Sequence, residues 1–374
     1  MKFRCERDSL VEVLSSAGRA VSTRGASSQA LSGLLLHCEG NLLTVTGTDL
    51  DLTIRAQQEA IGLEDGSAVV PARLVADVVR ALEPGAVTIE SDEEKVEISA
   101  ARSRFELRSF AVVEFPVTSP PVDGGVRLPA TLLAEGLRQV VRAASNDDGR
   151  PLLTGVLVTM DHGVVRLVAT DSYRLAMRDL EGTKAFEDQE DTLVPARALA
   201  ELQRLSGSSL VTTSGDEESS VTVVTTANEI SFSLGPVTIS TRLLSGTYPD
   251  YRALIPAEYP NRLHTGKESL LAALRRVRLL VRDNTTPVRL AMRPGGVDLS
   301  VVSQEIGEAT ETVDGDFTGE ELSIAFNPSY LIDGIEAVLD DEVLVETAEP
   351  SRPATVRAAD REEYRYLLMP VRVS

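Results

Sequence analysis

The hydrophobic positions of this chain change period several times, and the changes recur in a fixed order. Leu10, Val13, Leu14 and Ala17 fall at helical spacing, and the spacing returns at Leu133, Leu137, Val140 and Val141 and at Leu270, Leu274, Val277 and Val281. After each comes an alternating stretch, LLTVTGTDLDL, VVRLVATDSYRLA and VDLSVVSQEIGEA, which reads as half-buried strand. A second helix then begins at a proline. Pro71-Ala72-Arg73 leads into Leu74, Val75, Val78, Val79 and Leu82, Pro195-Ala196-Arg197 opens the next, and Phe326-Asn327-Pro328-Ser329-Tyr330 leads into Leu331, Ile332, Ile335 and Val338. Proline in a first helical turn gives up an N–H that has no partner there anyway.

The spacings make this a repeat. Pro71, Ala72, Arg73 and Arg80 match Pro195, Ala196, Arg197 and Arg204, each pair 124 positions apart. The acids Asp49, Asp171 and Glu305 are separated by 122 and 134, and the closing dipeptides Phe115-Pro116, Tyr248-Pro249 and Met369-Pro370 by 133 and 121. The pattern predicts three copies of strand, helix, strands, helix, strands, an α+β fold with two helices on one face of antiparallel sheet in each copy. The expected domains are 1–124, 125–256 and 257–374, the first boundary falling in the turn-rich stretch Ser119 to Gly125.

At 374 residues and 43% hydrophobic, the chain can bury its own cores without a metal or disulfides. Its two cysteines, Cys5 and Cys38, lie in apolar strand-like runs, and three histidines cannot support a zinc framework. The opening MKFRCERD lacks the apolar core of a signal peptide and no 18 apolar residues run together, so a reduced, cytoplasmic protein is expected, with no cofactor.

Charge changes the picture. A formal charge of -20 argues against nucleic acid, because phosphate binding depends on Lys and Arg. The distribution reverses that. Residues 267–282 carry Lys267, Arg275, Arg276, Arg278 and Arg282 against Glu268, a local +4, while 305–321 hold seven acids and no base. On one continuous helix Leu270, Leu274, Val277 and Val281 share a face, with Arg275, Arg278 and Arg282 about 100° away. Arg138 with Arg142, Arg73 with Arg80, and Arg197 with Arg204 repeat the basic face. The plain alternative is that these arginines only solvate their helices. Repeated basic faces in an acidic chain suit sequence-independent phosphate contact, and 4% aromatics without Trp disfavour base stacking on single strands. Duplex DNA is the expected nucleic acid.

ATDSYRLA (169–176), SGTYPDYRALIP (245–256), FNPSYL (326–331) and the terminal YLLMPVRV (366–373) together resemble the bacterial DNA polymerase III β-subunit, or sliding clamp, family along the whole chain. The resemblance implies a head-to-tail homodimer of three-domain subunits, a six-domain ring around duplex DNA that confers processivity and catalyses nothing. It implies a groove for a short linear motif of the polymerase III α subunit, the clamp loader, other polymerases and repair proteins. Carried over by motif, the groove is Leu153, Thr170, Ser172, Tyr173, Arg174, Leu175, Pro249, Leu254, Asn327, Tyr330, Met369, Pro370, Val371 and Arg372. Arg24 and Arg73 match pore positions, Arg197 is the repeat equivalent of Arg73, and helix phase adds Arg138, Arg142, Arg275 and Arg278. For the subunit contact, Arg102, Arg104, Phe105 and Leu107 are expected to meet Leu279, Leu280, Glu305 and Glu308. Ala253 stands where the family often has a second basic residue, Ser172-Tyr173 replaces the commoner Gly-His, and Ser27-Ser28-Gln29-Ala30 lacks the usual proline-rich segment. These departures bear on peptide preference.

Two rivals remain open at this point. Asp49 with Asp51, and Asp171 beside Ser172 and Tyr173, could be metal-binding carboxylates of a nucleic-acid enzyme. Their recurrence in each copy, without a phosphate-binding glycine loop or a Ser–His–Asp set, favours turn formation instead. The nearer rival is a specialised second-copy clamp, kept for inhibitor resistance or repair.

Overall fold

The computed structural model describes residues 1–22, 29–92, 94–116, 124–181, 191–207, 219–282, 286–303 and 305–372. The first third runs β1 (Lys2–Glu6), α1 (Arg7–Ala17), β2 (Gly33–Glu39), β3 (Leu42–Thr48), β4 (Leu52–Glu59), β5 (Ile61–Glu64), β6 (Gly66–Pro71), α2 (Ala72–Ala81), β7 (Ala86–Ser91), β8 (Lys95–Ala100) and β9 (Ser103–Arg108). The second runs β10 (Val126–Pro129), α3 (Ala130–Val140), β11 (Gly155–Asp161), β12 (Val164–Thr170), β13 (Arg174–Leu180), β14 (Thr192–Pro195), α4 (Ala196–Leu205), β15 (Ser220–Thr225), β16 (Glu229–Leu234) and β17 (Val237–Arg242). The third runs β18 (Asn261–Gly266), α5 (Lys267–Val277), β19 (Val288–Arg293), β20 (Gly296–Ser303), β21 (Gly307–Asp314), β22 (Asp316–Thr318), β23 (Leu322–Phe326), α6 (Pro328–Ala337), β24 (Glu342–Thr347), β25 (Ala354–Ala358) and β26 (Tyr364–Leu368).

The predicted order of elements is present in every third, and the copies match in length. The helices α1, α3 and α5 have 11 residues each and run into three-residue 3₁₀ turns, Gly18–Ala20, Val141–Ala143 and Arg278–Leu280. The helices α2, α4 and α6 have 10 residues each. The first helix of each copy buries its predicted stripe, Leu10, Val13, Leu14 and Ala17 in α1 and Leu270, Leu274 and Val277 in α5. The tightened turn ends the helical phase earlier than the apolar spacing implied, so Val141 and Val281 fall outside α3 and α5.

Each third builds two antiparallel four-strand arrays by one rule: β6-β2-β3-β4 with β1-β7-β8-β9, then β14-β11-β12-β13 with β10-β15-β16-β17, then β23-β19-β20-β21 with β18-β24-β25-β26. The last strands of arrays from consecutive thirds then pair. β4 joins β17 antiparallel, from Leu52 opposite Thr241 to Ala56 opposite Val237. β13 joins β26, from Arg174 opposite Leu368 to Arg178 opposite Tyr364. The chain therefore divides into two compact units, residues 1–134 with 197–243, and residues 135–196 with 244–374. The central third is shared between them because each of its arrays is fused to a neighbour's sheet. Local periodicity cannot reveal that, since it carries no information on which strand edges meet.

Phe3, Leu10, Leu34, Ile54 and Ile89 are among the buried side chains of the first unit, and Tyr251, Phe326 and Tyr366 of the second. Cys5 and Cys38 are buried, free thiols. Among the described residues, no helix is long and apolar enough to cross a membrane.

Candidate functional site

The second unit carries a built surface feature around the β12–β13 turn. Asp171 Oδ1 accepts the backbone N–H groups of Tyr173 (2.9 Å) and Arg174 (3.0 Å), and Thr170 Oγ1 accepts that of Ser172 (3.1 Å). Ser172 is held at φ 79 in the left-handed region, and Tyr173 is turned outward, 59% exposed. The first unit repeats the device. Asp49 Oδ1 accepts from Asp51 N (3.1 Å) and Leu52 N (2.8 Å), Thr48 Oγ1 accepts from Leu50 N (3.1 Å), and Leu50 is at φ 83. An Asp side chain that satisfies N–H groups two and three residues on makes a tight turn at low cost. The repeated acids are thus occupied as turn formers, which removes the sequence motive for a catalytic pair. Among the described residues, no group of three His, Cys, Asp or Glu could hold a metal.

The C-terminal segment closes this feature. Met369 N donates to the Tyr173 carbonyl (2.9 Å), and Val371 N donates to the Ala325 carbonyl of β23 (2.8 Å). Two cavities flank it. A narrow one of about 50 Å³ is lined by Thr170, Ser172, Arg174, Leu175, Leu254, Pro353, Leu367 and Met369. A broader one of about 540 Å³ is lined by Arg289, Ser323, Ile324, Ala325, Pro350, Ser351, Met369, Pro370, Val371 and Arg372. Leu175 and Leu367 belong to a buried cluster with Leu157, Val168, Met177, Leu193 and Tyr251, so the floor is rigid core. Leu254 is presented by the 3₁₀ turn Arg252–Leu254, fixed by Arg252, whose guanidinium lies 4.8 Å from the Tyr251 ring centre and donates to Asp161 at 3.1 Å. An apolar concavity with a few polar groups at its rim fits a short peptide.

Several expected lining residues have other work. Arg174 is nearly enclosed. It donates through Nε to Asp171 (3.0 Å), through Nη1 to Asp333 and through Nη2 to the Arg142 carbonyl, and it lies 4.3 Å over the Tyr330 ring. Burial lowers its pKa, but Tyr366, Asp333 and Asp171 outweigh that and hold it above the ordinary value. Arg174 is a strut that fixes the turn and also lines the narrow cavity. Asn327 Oδ1 caps α6, accepting from Ser329 N (2.9 Å) and Tyr330 N (3.2 Å). Leu153 is buried in the 3₁₀ turn Pro151–Thr154 and, like Pro249, lines neither cavity. Pro353 and Leu367 were missed. Leu367 lay within the quoted terminal motif, whereas Pro353, in the β24–β25 connection, gave no periodic signal.

The basic helix faces are less open than the sequence implied. Arg24 lies outside the described residues. Arg73 is 97% exposed at its side chain, 3.8 Å from Asp77. Arg197 bonds Asp49 and the Arg19 carbonyl (3.2 Å). Arg142 reaches Asp333 (3.4 Å) and Glu336 (3.3 Å), and Arg275 reaches Glu336 (2.8 Å), so that Arg275 first and Arg142 next hold the Glu336 carboxyl below its ordinary value. Arg138 is half-buried on α3. Arg278 and Arg282 lie beyond α5, so they do not continue the Arg275 face as one helix. Pairs this exposed contribute little stability.

Two strand edges carry the residues expected at a subunit contact. Arg102, in the turn before β9, and Arg104 and Phe105 on β9 are exposed, Phe105 by 40%, whereas Leu107 is already buried in its own unit. Near β21, Glu305 and Glu308 are exposed and Leu279 is 81% exposed, with Leu280 half-buried. Val302 (64%) and Ile306 (41%) widen the apolar patch beyond the sequence expectation.

Family models described as the N-terminal, central and C-terminal domains of the DNA polymerase III beta subunit match residues 1–119, 127–250 and 252–372. The chain is 33% identical to the beta sliding clamp of Streptomyces coelicolor and 29% identical to that of Bacillus subtilis, over all of both chains in each case. It is 31% identical to the beta sliding clamp homolog GriR of Streptomyces muensis, over all of this chain and 99% of the other. Among solved structures, a DnaN sliding clamp from Bartonella birtlesii bound to griselimycin superposes with a TM-score of 0.91 at 30% identity, and the Bacillus subtilis DNA polymerase sliding clamp with 0.89 at 28%, each covering all of both chains.

Proposed function

Because this chain belongs to the DNA polymerase III beta-subunit family of sliding clamps, we propose that two copies close head-to-tail into a six-repeat ring around duplex DNA and tether the replicative polymerase there. The observation that carries the ring is the strand-edge rule. The edge of β4 is used by β17 and that of β13 by β26, which leaves β21, the equivalent of β4 and β13, and β9, the equivalent of β17 and β26. The same antiparallel addition between copies, β21 of one to β9 of the next, satisfies both edges, and a second such contact closes the ring. Exposed Phe105 on one edge and Leu279, Val302 and Ile306 near the other supply apolar area, with Arg102 and Arg104 opposite Glu305 and Glu308.

The DNA contact is electrostatic and independent of sequence, made by arginines of the repeated helices and their following turns, with Arg73, Arg138, Arg142, Arg197, Arg275 and Arg278 as the described set and Arg24 added by motif. Diffuse phosphate contacts of this kind position a ring without stopping it. The groove lined by Leu175, Leu254, Leu367 and Met369, with exposed Tyr173 bonded to Met369 beside it, receives linear motifs of polymerases, the clamp loader and repair proteins. The chain itself performs no reaction, and it works in the cytoplasm. The relatives give no preference to a specialised second-copy clamp. Equilibrium sedimentation tests the ring contact: the wild type sediments near twice 40.2 kDa and Phe105→Asp near 40.2 kDa. A Phe105→Asp dimer as tight as the wild type would remove β9 from the interface.

A further inference from the structure

The end of β1 that leads into α1 borders a cavity of about 900 Å³ in the first unit. Leu42 at the β2–β3 turn, Ile61 at the start of β5 and Ala86 at the start of β7 give it an apolar lining, and Leu42 and Ile61 are 41% and 59% exposed. Arg4, Glu6, Glu39 and Glu59 line it as well, three acids to one base, and among the described residues Arg4, Glu6 and Glu59 are in no ion pair. The third repeat has the same framework with different side chains. Glu6 lies opposite Ala86 and Arg4 opposite Ile61, as Gly266 lies opposite Glu342 and His264 opposite Asp316. Cys5 Sγ donates to the Glu59 carbonyl at 3.8 Å, as Thr265 Oγ1 donates to that of Asp314 at 2.7 Å. There Glu342 lies 2.7 Å from His264 Nε2, and Arg293, in the place of Glu39, bonds Asp298 at 2.9 Å. The place of Leu42 is taken by Gly296, where a Cβ would come to 2.1 Å from the Val313 carbonyl oxygen.

We propose that this cavity is a second docking site, for an extended partner segment that carries bulky aliphatic side chains beside lysine or arginine. Where the third repeat has Gly296, Asp316 and Glu342, the first has Leu42, Ile61 and Ala86, so apolar surface replaces glycine and acids at one place on the same framework. Where the third has Gly266 and Arg293, the first has Glu6 and Glu39, so the rim gains acid in the same comparison. Building the sheet requires neither change, since the third repeat builds it without them. Exposed apolar side chains ringed by charge mark a contact surface. Leucine and isoleucine supply the affinity, and the unpaired carboxylates select a basic segment over an acidic one.

The test is fluorescence polarisation of the full-length protein with a fluorescein-labelled hexapeptide alternating lysine and leucine, set against its glutamate–leucine counterpart. The basic peptide is expected to bind and the acidic one not. Leu42→Thr with Ile61→Thr, which keeps strand-forming residues at two exposed positions, is expected to weaken binding about tenfold or more at an unchanged thermal midpoint. Glu59→Gln is expected to weaken it about two- to fivefold at low salt, the range of an exposed ion pair, and less at high salt. Glu362→Gln, an exposed acid of the second unit, serves as the control for net charge. Equal binding of both peptides, unchanged affinity in the threonine variant, or an equal effect of Glu362→Gln overturns the proposal. So does loss of binding in Tyr173→Ala with Met369→Ala, which would put the peptide in the groove of the second unit, and so does weaker self-association of the threonine variant in sedimentation, which would make this face a contact between copies.

Discussion

The backbone N–H of Met369 donates to the carbonyl of Tyr173 at 2.9 Å, tying the end of β26 to the turn that begins β13. Both side chains are left outside that backbone link, 41% and 59% exposed, and Met369 lines both cavities. The two segments are therefore joined through main-chain atoms, which leaves both side chains open to substitution without breaking that link.

Tyr173→Ala combined with Met369→Ala is expected to weaken binding of a peptide carrying the polymerase's clamp-binding segment by about tenfold or more, the usual effect of removing exposed anchors at the centre of a contact. The dimer and the thermal midpoint stay as in the wild type. Fluorescence polarisation with the labelled peptide reads this, and unchanged affinity would mean that the peptide binds elsewhere.

Arg174→Ala should act through position, since its guanidinium already joins Asp171, Asp333, the Arg142 carbonyl and the Tyr330 ring. Leaving these acceptors unpaired costs about 2 kcal/mol of stability, visible as a lower denaturant midpoint. Arg174→Lys should recover little, because a lysine cannot span three acceptors with a planar fork. Full recovery by lysine would contradict the strut role.

Acid should loosen the first unit through Glu201. Burial alone would raise its pKa, but Arg19 and Arg204 outweigh that and hold it below the ordinary 4.5. A lowered folded-state value means the carboxylate stabilises the fold fully above about pH 5 and loses that contribution as pH falls through the folded value. Glu201→Gln is therefore expected to cost about 1 to 3 kcal/mol at pH 7, with the gap from wild type closing as pH falls toward 3. A gap that widens on acidification would reverse the sign of this account.

Neutralising one arginine of the basic faces should matter little. Arg73→Ala is expected to shorten retention on closed circular DNA less than about twofold at physiological salt, whereas losing Arg73, Arg197 and Arg275 together lowers the salt dependence by up to about three phosphate contacts. Loss of retention with Arg73→Ala alone, in an intact dimer, would mean that one contact and not encirclement holds the protein.

Much of this was legible in the residues. Asp49 and Asp171 recur because each must satisfy two N–H groups of a turn whose next residue, Leu50 or Ser172, is left-handed. That local chemistry leaves a mark on the sequence. The stripes of α1 and α5 were readable because 3.6-residue periodicity is local as well. What was not readable depends on distant partners. Arg142 and Arg275 look like free cations until Asp333 and Glu336 are placed opposite them. Leu107 looks like an interface residue until its own unit covers it. The sharing of the central third between two sheets rests on β4·β17 and β13·β26 pairing, which spans more than 180 positions in each case.

The claim that topology holds this protein on DNA is tested most directly by loading it onto a nicked circular plasmid with clamp loader and ATP, separating free protein by gel filtration, and then linearising the plasmid. A dimer is expected to stay with the circles through filtration and to leave once ends are made. Retention that is indifferent to linearisation would contradict encirclement and return the arginines to ordinary surface binding.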